Sequence, residues 1–335
     1  MAKMPLTAML MHPVVKQEMI RSDHMDTLRR VCTLIDETPF RDLDDIAPHL
    51  SGVEILITSW GCPRINEQML DAAPRLKLIA HLAGSVKGFV DASAWRRGIR
   101  VVNAVAANAV PVAEYTLAAI LWSNKHILQL SKFYTQNREN RAPWTSEAPG
   151  AGNYGKQVGI IGASHVGRLV LQYLEPFDLQ ALLYDPFITA EEARELGAEK
   201  VGLAELLSRA NVVSLHAPLL AETRHMLSAR ELSLIADGTT IINTARGQLI
   251  DQAALITELA NGRLQAILDV TDPEVLPAEN PLYDMPNVFL TPHISGSLGT
   301  EIERLTDLIV AELDRFSRGL QLHHQVKREH LSRLA

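Results

Sequence analysis

The chain has little cysteine: only Cys32 and Cys62 occur among its 335 residues. Two cysteines cannot form a disulfide framework, and these two lack the spacing of metal ligands, which favours a reducing compartment. We interpret both as ordinary buried thiols. The closing segment carries His323, His324 and His330, and we interpret it as a solvated tail and not as a metal site.

An excess of positive charge is also missing. The net charge is −7, the isoelectric point is near 6.0 and no lysine or arginine run occurs, which argues against nucleic-acid and anionic-membrane partners. Residues Leu6 to Met11 form a short apolar run without a small-residue cleavage site, which predicts a first strand and not a signal peptide. We expect no segment that approaches the length needed to span a bilayer, and a cytoplasmic protein.

What the chain does have is 47% apolar residues in short runs that alternate with helical patterns. At this length the composition allows two domains, each with its own core. The alternation predicts an α/β fold with doubly wound parallel sheets covered by helices on both faces. The predicted strands are Leu6 to Met11, Val53 to Thr58, Leu76 to Leu82, Arg100 to Asn103, and then, from Gln157 onward, a second series near Ala181 to Tyr184, Val212 to Leu215, Thr240 to Asn243, Ala266 to Asp269 and Val288 to Thr291.

Three segments between and after these strands have distinct patterns. Val110 to Leu130 predicts one long helix that is apolar on a broad face. Lys132 to Asn153 is polar and too long for an ordinary connection, which predicts a mobile loop or an arm that packs on another subunit. Gly299 to Arg318 has helical periodicity after the second sheet is complete, so we expect it to return to the first domain.

A nucleotide-binding motif opens the second series. Residues 158–167 read V-G-I-I-G-A-S-H-V-G, a β-branched run that enters a Gly-x-Ser-x-x-Gly turn. We predict that Gly162 makes the tight turn and that Gly167 lets the next helix pack closely, with its amino end toward a pyrophosphate. Asp185 follows 23 positions after Gly162, where a carboxylate accepts from ribose hydroxyls and repels a 2′-phosphate. The motif favours NAD over NADP, with Ser164 replacing the usual middle glycine.

Charged residues follow three successive strands of the second series. Arg246 comes just after one strand, Asp269 ends the next with Glu274 in the loop beyond, and His293 follows the third. A doubly wound sheet binds its ligands at these carboxyl ends. An arginine holds a carboxylate bidentately, a histidine exchanges a proton near neutral pH, and a glutamate fixes the tautomer of that histidine. The set predicts a hydride-transfer site for a small acid.

With these residues in place, the chain resembles the NAD-dependent D-2-hydroxyacid dehydrogenases over nearly its whole length. The resemblance implies that Arg246 binds substrate and that Glu274 partners His293 in acid/base catalysis. It also implies roles for His216 and Asp269, near the cofactor ribose and the nicotinamide carboxamide respectively. The cofactor-binding residues are then expected to be Gly162, Ser164, His165, Val166, Gly167, Asp185, His216, Pro218, Thr223, Thr244, Ala245 and Asp269.

Residues 83–88, A-G-S-V-K-G, resemble the family's substrate-carboxylate loop, so Gly84 and Ser85 are expected to hold the acid through backbone N–H groups. Val86 and Gly88 depart from the family pattern, which we interpret as a shift in substrate choice. Val275 replaces a proline that often follows the glutamate, which would make that loop less rigid.

The resemblance also implies a discontinuous organisation. A flavodoxin-like substrate domain, residues 1–105 and 296–335, would contain an inserted Rossmann cofactor domain, residues 106–295, with a homodimer contact on the helix that follows residue 108. We expect no appended effector domain. Two alternatives remain: an NAD(H)-sensing regulator that resembles the C-terminal-binding-protein co-repressors, and a formate- or phosphite-type dehydrogenase. The side chain of the 2-hydroxy or 2-keto acid is not determined by these patterns.

Overall fold

The computed structural model describes residues 4–138, 146 and 148–329. Contacts between Cα atoms divide the chain into two compact units. Unit 1 comprises residues 1–108 and 297–334, and unit 2 comprises residues 109–296 together with residue 335. Each unit has its own sheet in which every paired strand is parallel, so the predicted α/β class with two parallel sheets is confirmed.

The sheet of unit 1 has five strands in the order β2-β1-β3-β4-β5, which is the flavodoxin-like order. The four strands expected from apolar runs are confirmed within two residues at each end. The two-residue edge strand β2 was missed because it is too short to show a pattern. The elements are β1 Leu6–Leu10, α1 Pro13–Met19, α2 Ser22–Val31, β2 Thr33–Leu34, α3 Leu43–Ile46, β3 Ile55–Thr58, α4 Glu67–Ala72, β4 Leu78–His81, α5 Ser93–Arg96 and β5 Arg100–Asn103.

This sheet is buried on both faces. Side chains of a strand alternate between faces, so Ile55 and Ile57 of β3 pack with Leu28 of α2, whereas Leu56 packs with Leu70 of α4. Strands covered on both sides are apolar at every position, which explains why they appear in the sequence as continuous runs.

The sheet of unit 2 has seven strands in the order β12-β11-β10-β9-β6-β7-β8, with β6 at the point where the order reverses. Helices cover both faces here as well. The short edge strand β8 was not predicted. The elements are α7 Ile127–Gln136, β6 Gln157–Ile161, α8 His165–Leu174, β7 Gln180–Tyr184, α9 Ala190–Glu195, β8 Ala198–Lys200, α10 Leu203–Arg209, β9 Val212–Leu215, α11 Ala229–Leu234, β10 Thr240–Asn243, α12 Gln252–Ala260, β11 Gln265–Leu268 and β12 Val288–Leu290.

One helix, α6 (Val105–Asn124), crosses the boundary between the two units. The prediction of a single helix from Val110 to Leu130 was wrong at both ends: α6 starts earlier, and His126, with φ of 50°, separates it from α7. By length and composition α6 could cross a membrane, with a mean hydropathy of 1.3, so the expectation that no segment has this length was also wrong. Ala113 and Ile120 of this helix are buried in the core of unit 2, which accounts for part of its apolar character.

The end of the chain returns to unit 1, as predicted. Helix α13 (Ile302–Ser317) buries Leu305 and Ile309 against the same core as α2. The prediction of a solvated tail was wrong for Leu322 and Val326, which are buried, whereas His323 is exposed. Gln325 pairs with Val102, and Val326 is buried and accepts a hydrogen bond from the Trp95 indole. His330 lies outside the described residues, as do residues 139–145 and 147 of the predicted loop or arm.

Candidate active site

The glycine turn after β6 is closed by backbone packing. Gly162 has a φ of 100°, and a Cβ at this position would lie 2.8 Å from Ala217 N. A Cβ at Gly167 would lie 2.0 Å from the Gly162 carbonyl oxygen, so neither position accepts a side chain. The Ser164 hydroxyl accepts from Gly167 N–H at 3.3 Å and caps α8. Serine at the middle position is therefore used as a helix cap.

The carboxylate of Asp185 lies at this turn, at the end of β7. Its Oδ2 accepts from Ala163 N–H at 2.7 Å, and its Oδ1 accepts from Phe187 N–H at 2.8 Å. Each carboxylate oxygen has a further lone pair for a hydroxyl donor. A tight glycine turn, a helix amino end and an adjacent carboxylate form the donor and acceptor set that suits a dinucleotide with an unmodified ribose.

Three neighbouring strands, β10, β11 and β12, end at the same edge of this sheet. Gly247 brings the first two loops together, because a Cβ there would lie 2.1 Å from the carbonyl carbon and oxygen of Thr271. The Thr271 hydroxyl in turn lies 2.8 Å from Pro273 O and 3.2 Å from Glu274 O. The loop that carries Arg246 therefore packs directly against the loop that carries Glu274.

His293 and Glu274 form the closest polar pair of this edge. His293 Nδ1 lies 2.5 Å from Glu274 Oε1, and each side chain is about half exposed, at 51% and 53%. His293 has a φ of 56°, a conformation that is uncommon outside glycine, and its backbone N–H donates to the backbone carbonyl of Asp269 at 2.9 Å. The pair has the geometry of a histidine whose tautomer is held by a carboxylate.

Asp269 is almost completely buried and holds the loop that contains His293. Its Oδ1 accepts from the Thr291 hydroxyl at 2.6 Å and from Ile294 N–H at 2.8 Å, and its Oδ2 accepts from Ser295 N–H at 2.9 Å. Sequence reasoning assigned Asp269 to the cofactor alone. Its position at a strand end was the available signal, but its contacts with the loop could not be read from the chain.

Arg246 is half-buried beside this pair. Among the residues that the structure describes, no carboxylate lies within 4.0 Å of its guanidinium, and Nη1 donates to Ala245 O at 2.6 Å. Burial lowers the pKa of Arg246, and the charge of Glu274 opposes this effect. Asn243, which the sequence analysis missed, clamps the loop: it accepts from Ala245 N–H and donates to Arg246 O. The guanidinium is thus fixed and available to an external anion.

The remaining predicted cofactor residues fall into two groups. His165, Val166, Pro218, Thr223 and Ala245 are at least partly exposed, and the Thr223 hydroxyl is held by Pro218 O at 2.6 Å. His216 and Thr244 are buried. The His216 ring lies under the glycine turn, with Nε2 at 2.9 Å from the Ser214 hydroxyl, so its side chain supports the turn from the inside.

In unit 1, the predicted carboxylate loop follows β4. A Cβ on Gly84 would meet no atom within 4 Å, so the backbone at this position faces open space. Ser85 accepts from Lys87 N–H at 3.2 Å. The Val86 side chain is fully buried in the core of unit 1, and the interpretation that it alters substrate choice stays a prediction. Gly88 has a φ of 75° and makes the turn that follows.

Two buried histidines predict that the protein loses stability in mild acid. Burial lowers the pKa of His81 to about 4 and that of His216 to about 3. Because an unfolded histidine has a pKa of ~6.5, the unfolded chain binds more protons below that pH. The free energy of unfolding therefore falls as pH drops from 6.5 toward these folded values, by up to ~1.4 kcal/mol per pH unit for each histidine.

Urea unfolding at pH 6.5 and pH 5 measures this loss, which should be about 2 kcal/mol for each histidine. In His216→Gln the part of the loss that comes from His216 should disappear. An equal loss of stability in the wild type and in this variant would show that His216 is not its source.

Comparison with known proteins identifies the family to which this chain belongs. Residues 117–295, more than half of the chain, match the NAD-binding domain of the D-isomer specific 2-hydroxyacid dehydrogenases. The matched region contains the glycine turn, Asp185 and the three strand ends described above. Its limits lie within unit 2.

Curated relatives match most of this chain. A D-3-phosphoglycerate dehydrogenase of Methanocaldococcus jannaschii is 32% identical over 271 residues, which are 80% of this chain and 50% of that protein. A glyoxylate reductase of Korarchaeum cryptofilum is 29% identical over 76% of this chain and 77% of its own length. The chain spans about half the length of the D-3-phosphoglycerate dehydrogenases that it matches.

Solved structures agree with these matches. A D-lactate dehydrogenase of Aquifex aeolicus, solved with NAD and lactic acid, superposes with a TM-score of 0.71 at 26% identity and covers 94% of this chain and 96% of its own. The chain belongs to the D-isomer specific 2-hydroxyacid dehydrogenase family, whose cofactor is NAD.

Proposed function

We propose that the protein transfers a hydride between NAD(H) and a small 2-hydroxy or 2-keto acid. The observation that carries this proposal is the His293–Glu274 pair, 2.5 Å apart, on the same sheet edge as a guanidinium with no described carboxylate partner. When bound, NADH supplies the hydride for reduction. The protein residues bind the acid, orient it and exchange its proton.

The proton passes through one specific nitrogen of His293. Because Nδ1 is engaged by Glu274, Nε2 is the ring nitrogen left to exchange a proton with the substrate oxygen. In reduction, Nε2–H donates to the oxygen of the keto group as the hydroxyl forms. Glu274 holds the ring in position and stabilises the imidazolium needed before this step.

The substrate carboxylate is assigned to Arg246. A planar guanidinium binds a carboxylate through two parallel N–H···O bonds, and burial of the arginine strengthens this interaction. Gly84 and Ser85 remain predicted substrate-binding residues, and the open space beside Gly84 supports this assignment.

A panel of keto acids tests the proposal. NADH oxidation would be followed with glyoxylate, pyruvate, hydroxypyruvate, phosphohydroxypyruvate and bulkier 2-keto acids. The relatives named above motivate glyoxylate and phosphohydroxypyruvate. We expect turnover with at least one acid; NADH binding without turnover on any member would favour an NAD(H)-sensing regulator instead.

We further propose that Asp185 makes the enzyme prefer NADH over NADPH. Asp185→Asn keeps one oxygen that accepts from a backbone amide. It removes the negative charge and the second oxygen, which would accept from the ribose hydroxyls. Loss of charge-assisted hydrogen bonds should raise the KM for NADH by roughly 10-fold or more and reduce the preference over NADPH. Asp178→Asn, at an exposed position of unit 2, is the control. An unchanged ratio of the two KM values would contradict this assignment.

A homodimer is proposed from the exposed apolar residues of α6 and α7. No residue of α7 is buried, and Trp122, Ile127 and Tyr134 are 48%, 36% and 74% exposed. Large exposed apolar side chains on neighbouring helices are typical of a subunit interface. Light scattering after size exclusion should give twice the chain mass, and Trp122→Glu should shift it toward the monomer.

A further inference from the structure

Two consecutive residues of α6 contact the two loops that carry the proposed catalytic groups. The Tyr115 hydroxyl lies 2.8 Å from Thr291 Oγ1, at the end of β12 and two positions before His293. The Thr116 hydroxyl lies 3.2 Å from Thr244 Oγ1, which is two positions before Arg246. A single turn of one helix therefore touches both loops.

The contact of Tyr115 has a defined direction. The Thr291 hydroxyl has one proton, and it donates that proton to Asp269 Oδ1 at 2.6 Å, because a carboxylate can only accept. Thr291 must then accept from Tyr115, whose O–H is the donor. Burial raises the pKa of Tyr115, and the charge of Asp269 adds to this effect, so the phenol keeps its proton in ordinary assays.

The chain of hydrogen bonds ends at the loop of His293. Asp269 accepts from the N–H groups of Ile294 and Ser295, the two residues that follow His293. These bonds hold a loop whose histidine has a positive φ. Loss of the Tyr115 hydroxyl would remove the hydrogen bond that Thr291 accepts and so weaken the Thr291–Asp269 hydrogen bond.

The contact of Thr116 acts on the other loop. Thr116 is fully buried, and Thr244 is nearly so. Thr244 lies between Asn243 and Ala245, whose backbone and side-chain hydrogen bonds fix the position of Arg246. A hydroxyl pair this deep in the core restricts the rotation of the loop at its start.

We propose that Tyr115 and Thr116 are positioning residues, Tyr115 for His293 and Thr116 for Arg246. The proposal rests on the function proposed above for these two groups. It predicts that the two variants have different kinetic signatures, because proton transfer affects kcat and carboxylate binding affects the KM for the acid.

Tyr115→Phe tests the first assignment, with Tyr154→Phe as the matched control at an 87% exposed tyrosine. Loss of one buried hydrogen bond should lower kcat about 5-fold in Tyr115→Phe, with the KM for NADH within about twofold of the wild type. Amide hydrogen exchange at Ile294 and Ser295 should become several-fold faster, by roughly the same factor as the decrease in kcat. The control should change neither quantity.

Thr291 supplies a second pair of variants. Thr291→Val removes the hydroxyl and should reproduce the Tyr115→Phe phenotype, whereas Thr291→Ser keeps it and should restore most of the activity. For the second assignment, Thr116→Val should raise the KM for the keto acid about 5-fold with a smaller change in kcat. Thr257→Val, at an exposed position of α12, is its control.

The outcomes separate this proposal from the proposed function. If the wild type turns over no acid, the proposed function fails, but amide exchange at Ile294 and Ser295 still decides whether Tyr115 holds the loop. If Tyr115→Phe matches Tyr154→Phe in kcat and in amide exchange, the positioning role of Tyr115 is overturned. If Thr116→Val leaves the KM for the acid unchanged, the role of Thr116 is overturned.

Discussion

Replacing His293 by alanine should lower kcat by ~10²- to 10⁴-fold while NADH still binds. The variant removes the group that exchanges the substrate proton, but it leaves the glycine turn and Asp185 intact. Stopped assays with the best keto acid measure kcat, and quenching or enhancement of NADH fluorescence measures binding. Glu274→Gln should lower kcat less, because the amide can still orient the ring but no longer stabilises the imidazolium.

His225 offers a matched control for this experiment. It is an exposed histidine of unit 2 with a φ of 53°, close to the 56° of His293. His225→Ala places alanine at a left-handed backbone position, as His293→Ala does. Because His225 is not one of the proposed site residues, this variant controls for the effect on the backbone alone. Near-normal turnover in His293→Ala, or an equal loss in His225→Ala, would rule out the assigned role of His293.

Replacing Arg246 by glutamine should reduce kcat/KM for the keto acid by about 10²- to 10³-fold, chiefly through KM. The change removes a half-buried cation that, among the described residues, has no carboxylate within 4.0 Å. The substrate carboxylate would then be desolvated without a charged partner, which is the costly case for a buried ion.

Arg246→Lys tests the geometry of this interaction separately from its charge. Lysine keeps the positive charge but cannot form two parallel hydrogen bonds, so it should recover only a minor part of the loss. Arg230→Gln, at an exposed position of α11, is the control. Wild-type KM for the acid in Arg246→Gln would exclude the arginine from substrate binding, and weaker NADH binding would point to a cofactor role instead.

The cofactor motif was predictable because its physical requirements are local. A strand, a turn with φ above zero and a close helix contact fall within ten residues, and only glycine fits at Gly162 and Gly167. Asp185 follows at a distance set by one helix and one strand. The structure adds that Ser164, which replaces the usual middle glycine of the motif, caps α8. Residue type and spacing alone did not predict this role.

The sheet edge that carries Arg246, Glu274 and His293 was predictable in part. Parallel strands gather their carboxyl ends at one edge, so residues after β10, β11 and β12 were expected to lie near one another. The pairing of His293 with Glu274, 19 residues earlier, was predicted from the residue types that this chemistry needs and was also implied by the family resemblance. The clamp of Asn243 and the contact of Gly247 with Thr271 depend on how two loops pack, which no local pattern encodes.

The incorrect expectations share one cause. The buried Val326 and the break at His126 both depend on partners or backbone positions that periodicity does not reveal. The edge strands β2 and β8 have too few residues to show alternation.

By itself, the order of residues determined the α/β class, the dinucleotide turn and the three residue types suited to acid/base chemistry on a small acid. Only the tertiary structure decided which atoms are in contact. Glu274 binds Nδ1 of His293, the buried carboxylate of Asp269 holds the loop that contains His293, and Tyr115 contacts Thr291 next to that carboxylate. The physical reason is range. Backbone preference and side-chain periodicity act over a few neighbouring residues, whereas the hydrogen bond between Tyr115 of α6 and Thr291 after β12 joins positions 176 residues apart.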